Sequence, residues 1–324
     1  MPTIAPFETD GHCLAVEFLD EKPCFIMADG VIHILSAKAQ ATTVHDGIVC
    51  VASASDGRTI VTGGEDGRVC RTNASGEVVE LASAGRKWIN AVACGPQNTV
   101  AYSIERSLWA IMDNKACFEY TCERSIEGLA FAPKGLRIAS SHYNGVTLNW
   151  LGADTAATKL EWKGAHNAVT FSPDNRFVIT SMQENALHGW RLADRQHLRM
   201  SGYPLKVKDW SWSNKGKWLA TSGAAAAIVW PFASKEGPMG KAPLELGTRA
   251  TNVVTAVACH PEEEAVAIGF NDGMILFVRF ADAKEVLLRQ RGKGSITAMR
   301  WDKVGLRIAY GSEAGDCGLI DISA

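Results

Sequence analysis

The side chains best suited to chemistry are eight histidines, at positions 12, 33, 45, 142, 166, 188, 197 and 260, and nine cysteines, at 13, 24, 50, 70, 94, 117, 122, 259 and 317. A bound metal needs three or four such donors to converge, which in a sequence shows as close pairs such as Cys-x-x-Cys or His-Glu-x-x-His. Neither pair occurs here, so neither a metal nor a cofactor is expected. The thiols are odd in number, lack a pattern and lie mostly in apolar runs, and so read as small buried hydrophobes of a reducing compartment. Gly63-Gly64 and Gly67 would cradle a phosphate only if Gly-Lys-Ser/Thr and a helix followed, and they do not. Asp29, Asp66, Asp272 and Asp316 have acid–base chemistry, yet they recur at one turn position, where an Asp side chain already accepts a backbone N–H. No catalytic residue is assigned.

Composition narrows the class further. The 324 residues are 47% hydrophobic and 21% charged, enough to bury a large core unaided, and the net charge of −2 argues against a wholly basic nucleic-acid binder. The N-terminal stretch from Met1 to Gly11 carries Glu8 and Asp10 and lacks the basic start and apolar run of an export signal. The apolar run Ala224–Val229 is far shorter than the roughly 20 residues that span a bilayer. A soluble cytoplasmic protein is expected.

The elements that would position these side chains are set by a repeat. A two-residue turn recurs at Asp29-Gly30, Asp66-Gly67, Glu105-Arg106, Asn144-Gly145, Glu184-Asn185, Ala224-Ala225, Asp272-Gly273 and Asp316-Cys317, at intervals of 37, 39, 39, 40, 40, 48 and 44 residues. Asp-Gly and Asn-Gly suit tight hairpins that need positive φ. A second polar turn, best seen at Ser172-Pro173-Asp174-Asn175, precedes each by about ten residues. Between the turns lie short strands, such as 48–53, 59–63 and 68–72 with a weaker fourth at 78–82, so each unit is a four-stranded antiparallel meander. Runs such as Ile48-Val49-Cys50-Val51-Ala52 and Ala265-Val266-Ala267-Ile268 are apolar at consecutive positions, which places a sheet between two neighbouring sheets. Many such meanders predict a propeller.

The units resemble WD40 repeats. Phe171-Ser172-Pro173-Asp174 matches the family's turn after the first strand, and Thr62-Gly63-Gly64-Glu65-Asp66-Gly67 matches the end of the second. The third-strand Trp appears at Trp150, Trp190 and Trp230, six residues past the turn, and is replaced at Leu35, Thr72, Ile111, Val278 and Ile322. The resemblance spans about 310 residues and implies a His–Ser/Thr–Asp–Trp hydrogen-bond network, expected to survive only as a remnant joining His45, Thr62 and Asp66. Gly67, Asp29, Asn144, Asp272 and Asp316 are the expected turn residues. The fold expected is all-β: an eight-bladed WD40-type β-propeller, seven blades being the alternative. It would be one domain over 1–324, with units near 12–44, 45–85, 86–123, 124–164, 165–205, 206–251, 252–293 and 294–324. The last unit ends its third strand near Ile322, so a closing strand within 1–11, at Thr3–Phe7, is expected to supply the fourth.

In such a fold the loops entering the first strand and the second-to-third hairpins share one face around the channel mouth, where the resemblance places partner docking. The candidates are Arg86, Lys87 and Trp88, with Arg106, Arg124, His142, Tyr143, Lys206, Lys208 and Phe270. Aromatic and Arg side chains are enriched at interface centres. The competing expectation is that Trp88 caps a junction and that the bases pair with Glu65, Glu105, Glu184 and Glu313. Unpaired, they would favour an acidic peptide or a nucleic-acid backbone. The expected function is thus a non-enzymatic, monomeric scaffold that binds another protein or peptide and no membrane. The alternatives are a propeller enzyme with a dispersed channel site and nucleic-acid binding through a basic face, the latter opposed by the absence of interleaved aromatics.

Overall fold

Apolar runs cut short by turns of positive φ leave little besides β-structure, and the computed structural model, which describes residues 2–36 and 39–323, bears this out. The expected domain bounds at Met1 and Ala324 lie outside the described residues. Among those residues the elements are strands and a single 3₁₀ turn at Asn214–Gly216. They belong to two compact units: a middle unit of Asp29–Ile34 and Gln40–Arg199, and a terminal unit of Met1–Ala28, Leu35–Ala39 and Met200–Ala324.

In the middle unit Val31–Ile34 pairs with Gln40–Thr43. Ile48–Ser53, Thr59–Gly64, Arg68–Asn73 and Val78–Ser83 follow as an antiparallel meander, and Ala91–Cys94, Val100–Ile104, Ser107–Met112 and Lys115–Thr121 as another. A six-stranded sheet takes Ile126–Phe131, Arg137–Trp150, Thr158–Phe171, Phe177–Met182, Leu187–Arg191 and His197–Met200 in order. In the terminal unit Cys13–Leu19 pairs with Lys22–Met27. Two further meanders run from Trp210–Trp212 to Leu244–Leu246 and from Val254–Cys259 to Glu285–Arg289. The last sheet holds Ile296–Trp301, Arg307–Ser312 and Asp316–Asp321, and Thr3–Glu8 completes it, pairing antiparallel with Asp316–Asp321. The N-terminal strand is therefore the fourth strand that the last repeat lacks.

The fold is an all-β propeller, and among the described residues its strands fall into seven sheets, the alternative expected from the sequence; the eight-blade expectation is not confirmed. The cause is Thr158–Phe171. Its Lys159–Glu161 pairs with Gly145–Thr147 and its His166–Phe171 with Val178–Met182, so two copies of the repeat run on into one six-stranded sheet.

Second strands such as Phe177–Met182 and Ala265–Phe270 are buried at every position, as consecutive apolar residues require. Each Ile, Val or Phe so buried contributes about 1.5–3 kcal/mol. Fourth strands such as Lys115–Thr121 and Thr3–Glu8 are mostly exposed. The hairpins need their glycines. Gly67 has φ 77°, and a Cβ there would lie 2.4 Å from the Gly85 carbonyl oxygen. In two repeats the positive-φ residue is one place earlier than the expected turn pair, at Gly223 before Ala224-Ala225 and at Gly315 before Asp316-Cys317.

Candidate functional site

Hairpin carbonyls of one repeat hold the entering loop of the next. In the middle unit the Ala84 amide donates to the Gly67 carbonyl (2.8 Å), and the Cys122 and Ile126 amides donate to the Arg106 and Glu105 carbonyls (2.8 Å each). The Glu105 amide in turn donates to Asn90 Oδ1 (2.7 Å), and Ile126 lies opposite His142 in the strand register. These contacts place Arg86-Lys87-Trp88, Arg106, Arg124 and His142-Tyr143 along one continuous strip. Trp88 is 56% exposed and Tyr143 48%. Lys87 pairs with Glu105 at 3.3 Å, one of the pairings expected with the hairpin carboxylates. Both partners are solvated, and such a pair contributes at most about 1 kcal/mol. Arg86, Arg106 and Arg124 are exposed and make no ion pair among the described residues. His142 is oriented by its neighbours: Nδ1 meets the Tyr143 carbonyl at 3.0 Å and so carries the proton, leaving Nε2 to accept from the Thr147 hydroxyl at 2.9 Å.

At the Tyr143 end the strip opens into a cleft of about 640 Å³, lined among others by Tyr120, Arg124, His142, Tyr143, Trp162 and Lys163, with a Lys159–Glu123 pair at its rim. A hollow of about 370 Å³ shares Tyr143, Trp162 and Lys163 with it and adds Met182, Glu184 and Arg199. Trp162 is held by stacking on His188, ring centroids 4.1 Å apart and planes 13° from parallel. Burial pushes the His188 pKa down to about 3, so that ring is neutral, and its Nε2 meets His197 Nδ1 at 3.0 Å. Trp162, Lys163 and Arg199 went unassigned in the sequence because the strand that carries the first two looked like a short, weak fourth strand.

The terminal unit differs in kind. Phe270, expected on the docking surface, is fully buried, because its strand is apolar on both faces and packs it with Val254, Val266 and Leu276. Lys208 is exposed and Lys206 half-buried. Other bases are paired: Arg249 with Glu285 (2.6 Å), Arg291 with Asp272 (2.9 Å), Lys293 with Glu8 (3.1 Å), and Arg289 with Asp316. A cavity of about 500 Å³ in this unit is lined by first strands and by Asp209, whose carboxylate accepts from the Val257 (2.8 Å) and Trp210 (2.9 Å) amides. Burial raises the Asp209 pKa to about 7 despite those bonds.

The structural residues form more of the network than the sequence implied. His45 Nδ1 donates to Asp66 Oδ1 (3.0 Å) and Nε2 accepts from the Thr62 hydroxyl (2.8 Å). Burial opposes the Asp66 charge, but the Arg68 amide, His45 and the Arg68 side chain outweigh it and lower its pKa. His166 meets Thr180 Oγ1 at 2.7 Å and Trp162 O at 2.9 Å. Trp230 donates to the Tyr203 hydroxyl (2.6 Å), which meets Thr221 Oγ1 at 2.7 Å. Trp190 is buried with its indole N–H unpaired. Trp150, expected in the same structural role, is instead 43% exposed, with the Arg137 guanidinium 5.5 Å from its ring centre. Asp29 and Asp272 accept from the amides two residues on, at 3.1 and 3.2 Å, as turn residues do. Asn144 takes φ 73° at its hairpin. Among the described residues no group of three or more His, Cys, Asp or Glu could hold a metal ion, and no helix is long and apolar enough to cross a membrane.

Residues 38–70 match the family model described as WD domain, G-beta repeat. Over 201 residues, 60% of this chain, the sequence is 21% identical to Telomerase protein component 1 of Rattus norvegicus, and the chain spans 7% of that protein's length. The fold matches the crystal structure of the computationally designed Ika8 protein with a TM-score of 0.77 over 97% of this chain and 98% of that one, at 17% identity, a likeness of fold alone. The matched segment contains His45, Thr62 and Asp66, the three residues joined by hydrogen bonds above. The chain is an all-β propeller in which residues 38–70 match the WD40 repeat model.

Proposed function

We propose that the protein is a non-enzymatic scaffold that docks another protein along the middle-unit strip from Arg86 to Tyr143. The observation that carries this reading is the exposure of Trp88 and Tyr143, 56% and 48%, the first on a loop and the second within the strand Arg137–Trp150. Large aromatics left in water beside arginines are the usual centres of interfaces. The likeness to a protein named as a telomerase component supports a place in a protein complex. The nine unbridged thiols support a reducing compartment such as the cytoplasm.

The test is affinity capture from a native extract with a tagged chain, comparing wild type with Trp88→Ala/Tyr143→Ala and with Lys303→Ala in the terminal unit. The expected result is loss of the captured proteins in the double variant alone, with melting temperatures equal in all three. Retention of every captured protein by the double variant removes the strip from consideration.

A further inference from the structure

We infer that the segment received by the Tyr143 cleft is an acidic, extended peptide, a reading that rests on the docking role proposed above. The cleft and its adjoining hollow share Tyr143, Trp162 and Lys163, so a segment lying in the cleft has the hollow next to it. Its charges do not cancel. Lys159 is taken up by Glu123, which leaves Arg124, Lys163 and Arg199 exposed and without an ion pair among the described residues, facing Glu161 and Glu184. Along the strip Arg86 and Arg106 add to the positive side, and Glu65 lies on the other. A guanidinium such as Arg124 grips a carboxylate through two parallel N–H bonds, and the partner's carboxylates would complete groups that the fold leaves solvated.

The aromatic lining supplies the remaining contact. Tyr120, Tyr143 and Trp162 offer faces to apolar or aromatic side chains between the acids, and stacking on His188 fixes Trp162 before any ligand arrives. A nucleic-acid strand fits less well. It carries a charge at every step, and Glu161 and Glu184 face the same space, whereas a peptide can place its acids beside the cations and neutral residues beside the two glutamates.

The test uses fluorescence anisotropy with three labelled probes: a peptide alternating glutamate with tyrosine and leucine, the same peptide with glutamine for glutamate, and an oligouridine of equal length. The glutamate peptide is expected to bind about tenfold tighter than the glutamine one, to weaken as salt rises, and to lose about that factor in Arg124→Gln/Lys163→Gln. Lys303→Gln in the terminal unit should leave it unchanged. If the two peptides bind equally and both are lost in Tyr143→Ala, the docking role stands and the acidic preference is wrong. Tighter binding of oligouridine, or no binding of the glutamate peptide at any salt concentration, overturns the inference. Melting curves of the variants separate lost contacts from lost fold.

Discussion

Tyr203 stands 21 residues before Ala224, as His45 stands 21 before Asp66, and does the work of that histidine with a hydroxyl. The indole N–H of Trp230 can only donate, so the Tyr203 oxygen accepts it at 2.6 Å, and the phenol proton passes to Thr221 Oγ1 at 2.7 Å. Thr221 then donates to the Ile228 carbonyl at 2.8 Å, which leaves every donor in the relay satisfied. Burial pushes the Tyr203 pKa up to about 12, so the proton stays in place. Tyr203→Phe strands a buried N–H and a buried hydroxyl acceptor, at a cost of about 2–4 kcal/mol. Urea denaturation measures it, and a change under about 0.5 kcal/mol would show that the relay contributes little. The relay also marks the limit of reading single residues. His45, Thr62 and Asp66 could be picked out because they keep the family's residue types. Tyr203 could not, since only its position and its hydroxyl serve that role. Trp150 misled for the converse reason: the right residue at the right spacing is 43% exposed, beside the Arg137 guanidinium.

At the level of elements, the strand that ends a sheet was easier to foresee than the break between two sheets. An unpaired edge beside the last repeat's third strand is costly, so Thr3–Phe7 was the natural complement. Its pairing from Thr3 with Asp321 to Glu8 with Asp316 has that effect, and Glu8 adds an ion pair to Lys293. Nothing in Lys163-Gly164-Ala165 says whether the chain turns away or stays extended there. In other repeats the fourth strand leads to the next first strand through polar loops such as 84–90, whereas here the link is too short to leave the sheet. Deleting residues 2–8 should expose the Asp316–Asp321 edge and lower the melting temperature by several degrees, with the amides of Asp316–Asp321 losing protection first in hydrogen exchange. An unchanged melting temperature would mean that the strand contributes no stability.

Across the whole molecule the buried titratable groups give the two units opposite responses to pH. In the middle unit His45, His166 and His188 are all held below their ordinary pKa of 6.5, first by burial. The unfolded chain takes up these protons below that value and the folded unit resists, so stability is full above about pH 6.5 and is lost as pH falls towards the folded value, about 3 for His188. In the terminal unit Asp209 is raised from 3.8 to about 7. There the folded unit keeps a proton that the unfolded chain releases, so its stability is full below 3.8 and is lost as pH rises through about 7. Each group contributes up to about 1.4 kcal/mol per pH unit within its window. Hydrogen exchange near pH 5 and near pH 7, corrected for the chemical exchange rate, should therefore show Thr59–Gly64 and Leu187–Arg191 less protected at the lower pH. Trp210–Trp212 and Val254–Cys259, which Asp209 joins through the Val257 amide, should be more protected there. Asp209→Asn should abolish the second change and spare the first. Parallel shifts in both units, or a terminal-unit response that survives this substitution, would show that these buried groups do not govern the pH response.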